Sequence, residues 1–180
     1  MTQPGDRQAF ERLVLPHMDA AYNVARHLVR HEAVAADVVQ ESLMRAWRYF
    51  GSFRGGEALP WLLQIVRNAA YSMMDRKQEV SLPEDMPVVD AGRGTGKASD
   101  PAVELIEKVD AEMLRQAVDA LPVIYREVIV LRELEGLSYK EIADVTGVSI
   151  GTVMSRLSRG RRQLETAVLA QAGEEARHDL

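Results

Sequence analysis

A proline- and glycine-rich stretch in the middle of the chain limits the fold more than any other feature. Residues 80–101, VSLPEDMPVVDAGRGTGKASDP, contain three prolines, three glycines and no apolar residues at helical spacing. On either side apolar residues recur every three or four positions, and no segment alternates as a strand would. The sequence therefore predicts an all-α fold of two small helical domains joined by a flexible acidic linker. The predicted domains are residues 1–78 and 105–168, with 79–104 as the linker and 169–180 as a tail.

The charge of the chain is distributed unevenly along it. Of the formal net charge of −5, residues 78–112 carry −6, from nine acids and three bases, so the remainder of the chain carries +1. Residues 149–164 contain four arginines and no acid. Because the acidity is local, the net charge does not exclude a nucleic-acid partner.

Several classes of protein are excluded or disfavoured by composition and context. The absence of cysteine excludes a disulfide scaffold, a Cys-ligated zinc site and a thiol nucleophile. No run of 18 apolar residues and no signal-like N-terminus is found, so we expect a cytoplasmic protein. The GVSIG sequence at 147–151 resembles a hydrolase elbow but follows a predicted helix rather than a strand. No third ligand accompanies His27 and His31, so we predict no metal site. Without a hydrolase elbow or a metal site, we also predict no enzyme activity and no cofactor.

The residues that carry the strongest motif lie near the end of the second domain. Ser138 and Glu141 have the spacing of a capping box, in which each side chain satisfies the other residue's backbone N–H. Gly147 can adopt the left-handed turn that ends the short helix, and Ser149 can cap the next one. This pattern predicts a helix-turn-helix whose second helix presents its arginines to DNA.

Two longer segments carry a resemblance to a known family. The segment LPVIYREVIVLRELEG followed by LSYKEIADVTGVSIGTVMSRLSRGRRQL resembles the second DNA-binding domain of bacterial extracytoplasmic-function sigma factors. The segment ADVVQESLMRAWRYFGSFRGGEALPWLLQIVRNAAYSMMDRK resembles their first conserved domain. Together the segments cover about two-thirds of the chain, in the family's order.

The resemblance implies site residues in three groups. The first would dock on a coiled coil of RNA polymerase: Asp37, Gln40, Glu41, Met44 and Trp47, although we expect Trp47 to serve the core more than the partner. The second would meet the minus-ten element: Phe53 and Arg54 in a base-capturing loop, then Arg67, Asn68, Tyr71, Arg76 and Lys77. The third would read the minus-thirty-five element: Ser149, Thr152, Met154, Ser155, Arg156, Arg159 and Arg162.

Met154 and Gly160 depart from the family pattern. Met154 lies where relatives often have a basic residue, and this leaves the base preference open. Gly160 lies where alanine is usual, at a helix-propensity cost of about 1 kcal/mol.

The function implied is that of a subunit that gives core RNA polymerase promoter recognition and strand opening. The expected partners are core RNA polymerase, promoter DNA and an anti-sigma factor, which could be membrane-anchored, and no small-molecule substrate is expected. The alternative is a stand-alone helix-turn-helix transcriptional regulator with a helical sensor domain. Dependence on polymerase distinguishes the two.

Overall fold

The fold was analysed in a computed structural model, which describes residues 4–80 and 101–178, with side chains described for residues 6–76 and 111–171. The predicted all-α class is confirmed, because the described residues form helices and no strand. Most of the predicted linker lies outside the described residues. The helices are α1 (Pro4–Val14), α2 (Met18–Val29), α3 (Glu32–Tyr49), α4 (Ala58–Val80), α5 (Pro101–Ala120), α6 (Val123–Ile129), α7 (Tyr139–Thr146) and α8 (Ile150–His178).

Local sequence explains where several helices end. Pro16 lies in a 3₁₀ turn, Leu15–His17, which separates α1 from α2, because proline has no backbone N–H to continue a helix. Helix α2 ends at Arg30, which adopts a left-handed conformation (φ 59°) and donates its backbone N–H to the Arg26 carbonyl. Helices α4 and α5 reach Val80 and Pro101, so each enters the predicted 79–104 linker by a few residues. Helix α8 runs through the predicted tail as far as His178.

The first domain is formed by α1–α4 and the second by α5–α8. Helices α2, α3 and α4 pack on one another around buried residues such as Val24, Val38 and Leu62. In the second domain α8 packs on α5, α6 and α7 and buries Val153 and Leu157, as their helical spacing predicts. A turn of π-helix, Val130–Leu134, continues α6 and was not predicted.

The two domains also pack directly on each other, α2 and α4 of the first against α6 and α7 of the second. Buried Arg126 of α6 donates to the carbonyls of Asp119 (2.8 Å) and Leu121 (2.9 Å) in its own domain. It also donates to the Leu28 carbonyl of α2 (3.3 Å) in the other domain. One guanidinium thus satisfies backbone acceptors on both sides of the interface, where unpaired acceptors would be costly.

A second polar contact joins α2 to the end of α5. The Nδ1 atom of His27 lies 3.0 Å from Oδ1 of Asp119, and Nη1 of Arg26 lies 3.6 Å from Oδ2. Burial disfavours the charged form of Asp119, but the hydrogen bond with His27 and the nearby positive charges outweigh it and lower the pKa of Asp119. His27 therefore has a structural partner across the interface, and no group of three or more metal-ligating side chains occurs in the part of the chain that is described.

Gly160 has a packing role that its helix propensity conceals. It is buried in α8 where that helix crosses α6, and an added Cβ would lie 3.0 Å from Cγ1 of Ile129 and 3.4 Å from Cβ of Tyr125. Gly151, in the first turn of the same helix, is exposed, and the nearest atom to an added Cβ there is the Ser149 hydroxyl oxygen at 3.8 Å. The glycine therefore lets two helices approach closely, which offsets its propensity cost.

This comparison predicts that the same substitution lowers stability at one position of α8 and leaves it nearly unchanged at another. Gly160→Val should lower the free energy of unfolding by about 1–3 kcal/mol, because the added methyls overpack against Ile129. Gly151→Val, the matched control, should change it by less than about 0.5 kcal/mol, as expected at an exposed site. Urea denaturation followed by circular dichroism measures both, and equal stability of the two variants would contradict the packing role.

Candidate nucleic-acid interface

The helix-turn-helix is formed by α7, α8 and the turn between them. The backbone N–H of Ser138 donates to Oε2 of Glu141 at 2.7 Å, and the N–H of Glu141 donates to the Ser138 hydroxyl at 3.2 Å. The hydrogen bonds with Ser138 lower the pKa of Glu141. Gly147 ends α7 in the left-handed conformation (φ 71°). The capping box and the glycine turn are thus confirmed.

Ser149 caps α8, which is the predicted reading helix for the minus-thirty-five element. Its hydroxyl accepts the backbone N–H of Thr152 at 3.1 Å and lies 2.9 Å from the Thr152 side-chain oxygen. Since Val153 and Leu157 are fully buried beneath α8, the rotation of the helix is fixed. Of the minus-thirty-five candidates, Thr152 and Arg156 are half-buried, and the exposed ones are Ser149, Met154, Ser155, Arg159 and Arg162.

The arginines of α8 are not equivalent. Arg161 pairs with Glu133, with its Nη2 atom 2.6 Å from Oε1. Arg159 and Arg162 are exposed and form no ion pair with any described side chain. An unpaired exposed arginine is free to approach a phosphate or a guanine edge, so the structure favours Arg159 and Arg162 over Arg161 as DNA contacts.

The predicted base-capturing loop lies between α3 and α4. The Phe53 ring is half-buried, 5.0 Å from Trp61 and stacked 6.1 Å from Phe50, between ring centroids. Arg54 is exposed, and Gly55 and Gly56 have positive φ angles of 86° and 95°. The aromatic cluster therefore supports the loop from below, and the arginine and glycines form its open surface.

Helix α4 carries the other minus-ten candidates, and two of them face the second domain. The Arg67 Nε donates to Oε1 of Glu127 in α6 at 2.5 Å, and its guanidinium lies 4.4 Å from the Tyr71 ring centroid. The Tyr71 hydroxyl donates to Oε2 of Glu127 at 3.4 Å. Asn68 and Arg76 are exposed, and the Lys77 side chain lies outside the described residues.

Arg67, a minus-ten candidate, is therefore largely buried in this arrangement of the domains. Its side chain is only 21% exposed, because Glu127 provides a negative partner within the interface. Glu127 itself is 1% exposed. Burial raises the pKa of Glu127, and the charges of Arg67 and Arg156 with the Tyr71 hydrogen bond act in the opposite direction.

Glu127 is the residue that sequence reasoning missed. Its signal was present, since Arg126 and Glu127 stand together in the otherwise apolar run of α6, where charges are buried only if they are paired. The sequence does not say which partners they find. Arg67 lies 60 residues away in the first domain, and only the packing of the two domains brings it to Glu127.

The predicted polymerase-docking residues lie on α3. Asp37, Gln40 and Met44 are exposed, and half-buried Glu41 pairs with Arg45 at 2.7 Å. Trp47 is 36% exposed, and its ring packs edge-on against Phe10 with centroids 5.1 Å apart. The outer face of α3 is thus a mixed polar and apolar surface, open in this arrangement of the domains.

Comparison with known proteins identifies the family to which both parts of the chain are similar. Residues 13–80 match the family Sigma-70 region 2, and residues 111–164 match Sigma-70, region 4. The chain is 35% identical over 181 residues to the ECF RNA polymerase sigma factor SigE of Mycolicibacterium smegmatis, over 96% of this chain and 67% of the relative. The chain belongs to the extracytoplasmic-function sigma factors. As a sigma factor it acts in transcription initiation, with core RNA polymerase and promoter DNA as partners.

Further relatives extend the match to nearly the whole sigma factor. It is 34% identical to the RNA polymerase sigma-H factor of Pseudomonas aeruginosa, over 92% of this chain and 89% of the relative. Its structure resembles the sigma factor RpoE of Bartonella quintana, solved with the anti-sigma factor NepR, with a TM-score of 0.71 and 28% identity over 89% of this chain and 97% of that one. It also resembles CnrH, solved with the cytosolic domain of CnrY, with a TM-score of 0.62 and 26% identity over 91% and 90% of the two chains.

Within residues 4–80 and 101–178, no helix combines the length and apolar character needed to cross a bilayer.

Proposed function

We propose that the two domains of this sigma factor divide promoter recognition between them. Residues 1–78 would dock on core polymerase through the outer face of α3 and meet the minus-ten element through the α3–α4 loop and α4. Residues 105–168 would read the minus-thirty-five element through α8. The observation that supports this most is the open, acid-free face of α8, held outward by buried Val153 and Leu157 and capped by Ser149.

The sigma factor would contribute recognition and strand opening and no active site of its own. The phosphodiester chemistry and its metal would belong to the polymerase, and the place of action would be the cytoplasm, where polymerase and promoter meet. The stand-alone regulator alternative is not favoured, because the family match spans both domains.

Control by an anti-sigma factor is part of the proposal. Two solved relatives of similar fold are complexes, one with an anti-sigma factor and the other with the cytosolic domain of CnrY. An inhibitor that binds this sigma factor would compete with polymerase or DNA for the surfaces described above. The second relative's partner has a cytosolic domain, which is consistent with inhibitors that extend from a membrane.

Transcription in vitro tests the proposed function. Purified sigma factor with core RNA polymerase on sheared genomic DNA should produce transcripts whose start sites share two spaced upstream elements. Core polymerase alone is the control. The proposed function is contradicted if folded sigma factor with core polymerase gives no specific start. It is also contradicted if core polymerase alone gives the same starts.

A further prediction distinguishes the contributions of two arginines on α8 to DNA binding. On a promoter identified in that way, Arg159→Ala should weaken binding of the holoenzyme and reduce the slope of log K against log salt by about 1, since one phosphate contact is lost. Arg161→Ala is the matched control, because Arg161 pairs with Glu133, and it should leave the slope unchanged. Equal effects of the two substitutions, measured by fluorescence anisotropy across a salt series, would remove Arg159 from the reading surface.

A further inference from the structure

The carboxylate of Glu127, in the second domain, holds side chains of the DNA surface proposed for the first domain. It accepts hydrogen bonds from Arg67 and Tyr71, which belong to the minus-ten group on α4. The ion pair between Arg67 and Glu127 therefore joins the two domains at a residue proposed to bind DNA.

The chemistry of this cluster matches that of a DNA backbone contact. An arginine offers the same N–H donors to a carboxylate as to a phosphate, and both bonds are charge-assisted. Because Glu127 is 1% exposed and Arg67 only 21% exposed, the pair is shielded from water and from salt. While the domains are packed in this way, the Nε–H of Arg67 is bonded to Glu127 and cannot be offered to a phosphate.

We propose that Glu127 is an intramolecular substitute for DNA phosphate, which holds the two domains closed and withdraws Arg67 from DNA until core polymerase separates the domains. This inference rests on the proposed function, since it assumes that Arg67 binds promoter DNA. The closed form would have a low affinity for DNA, and the competent fraction would set the apparent affinity.

The surface proposed for polymerase stays open in the closed form. Asp37, Gln40 and Met44 on α3 are exposed, and none of them contributes to the domain interface contacts described above. Polymerase can therefore dock first, and DNA follows once the domains have opened. Such an order prevents the free sigma factor from occupying nonspecific DNA.

The interface carries further contacts that the opening must break. Besides Glu127, these are the His27–Asp119 contact, the bond from Arg126 to the Leu28 carbonyl, and a bond from Gln64 Nε2 to the Asp144 carbonyl at 3.2 Å. Of the interface groups, only the Glu127 cluster includes residues proposed to bind DNA. Glu127 is for this reason the position at which closure and DNA binding can be tested together.

The test uses the free full-length chain and a mixed-sequence DNA duplex, with binding followed by fluorescence anisotropy across a salt series. Glu127→Gln keeps the shape of the side chain and removes its charge, so Arg67 should be released. The variant should bind the duplex about tenfold more tightly than the unmodified chain, as expected if the competent fraction rises by that factor. Its salt slope should be steeper by about 1, because one more arginine reaches a phosphate.

The matched control is Glu165→Gln on α8, which changes the net charge equally at an exposed residue. It should leave both the affinity and the slope close to those of the unmodified chain. If Glu127→Gln and Glu165→Gln give the same affinity and slope, net charge alone explains the binding and the inference is overturned.

A second variant covers the case in which Glu127→Gln does not fold. Glu127→Met has a side chain of similar length that needs no hydrogen-bond partner, and it should show the same gain in affinity and slope. If both variants unfold, hydrogen exchange of the unmodified sigma factor decides. Saturating duplex should then increase amide exchange in α6 and α7 where they face the first domain, and unchanged exchange there would overturn the inference.

The failure of this inference is distinguishable from failure of the proposed function. Polymerase-dependent transcription by the unmodified chain, with no change in DNA binding on replacing Glu127, would leave the sigma factor function intact and remove the closed state. Loss of polymerase-dependent transcription would contradict the proposed function itself.

Discussion

The burial of one carboxylate, that of Glu127, is the constraint on which the relation between the two domains depends. A charged group that is 1% exposed must be paired, and its partners Arg67 and Tyr71 come from a helix of the other domain. Replacing Arg67 while the domains stay packed would leave this buried carboxylate without its charged partner, which is strongly unfavourable. Arg126 beside it completes the contact by bonding to the Leu28 carbonyl. The closed arrangement is thus a polar interface, in which Nε of Arg126 and Nη1 of Arg26 are buried without a hydrogen-bond partner among the described residues.

This interface couples promoter recognition to the exposure of the residues that would contact DNA. The surfaces that would meet DNA are assembled correctly within each domain: Ser149 caps the reading helix, and the aromatic cluster supports the α3–α4 loop. Arg67 of the minus-ten surface is nevertheless paired with Glu127 at the interface, while Arg159 and Arg162 remain exposed. Each domain therefore has its own DNA surface assembled, although the packing of the two domains does not suit promoter binding. Core polymerase, which would bind the exposed face of α3, is the natural agent to change their arrangement.

Much of the fold was predictable from sequence because its signals are local. The capping box at Ser138, the left-handed Gly147, the break at Pro16 and the buried Val153 and Leu157 all depend on neighbours within a few residues. The contact between domains was not predictable, because Arg67 and Glu127 are 60 residues apart and nothing in their spacing pairs them. Gly160 illustrates the same limit. Its propensity cost is visible in the sequence, and its role in the crossing of α6 and α8 is visible only in the packing.

The most direct test of the central claim is the distance between the domains, free and bound to core polymerase. The chain has no cysteine, so Gln8→Cys on α1 and Gln163→Cys on α8, both exposed, can be spin-labelled and measured by double electron–electron resonance. The account predicts a single narrow distance distribution for the free sigma factor and a longer distance once core polymerase is bound. The same distribution in both states, or a broad one in the free chain, would contradict it.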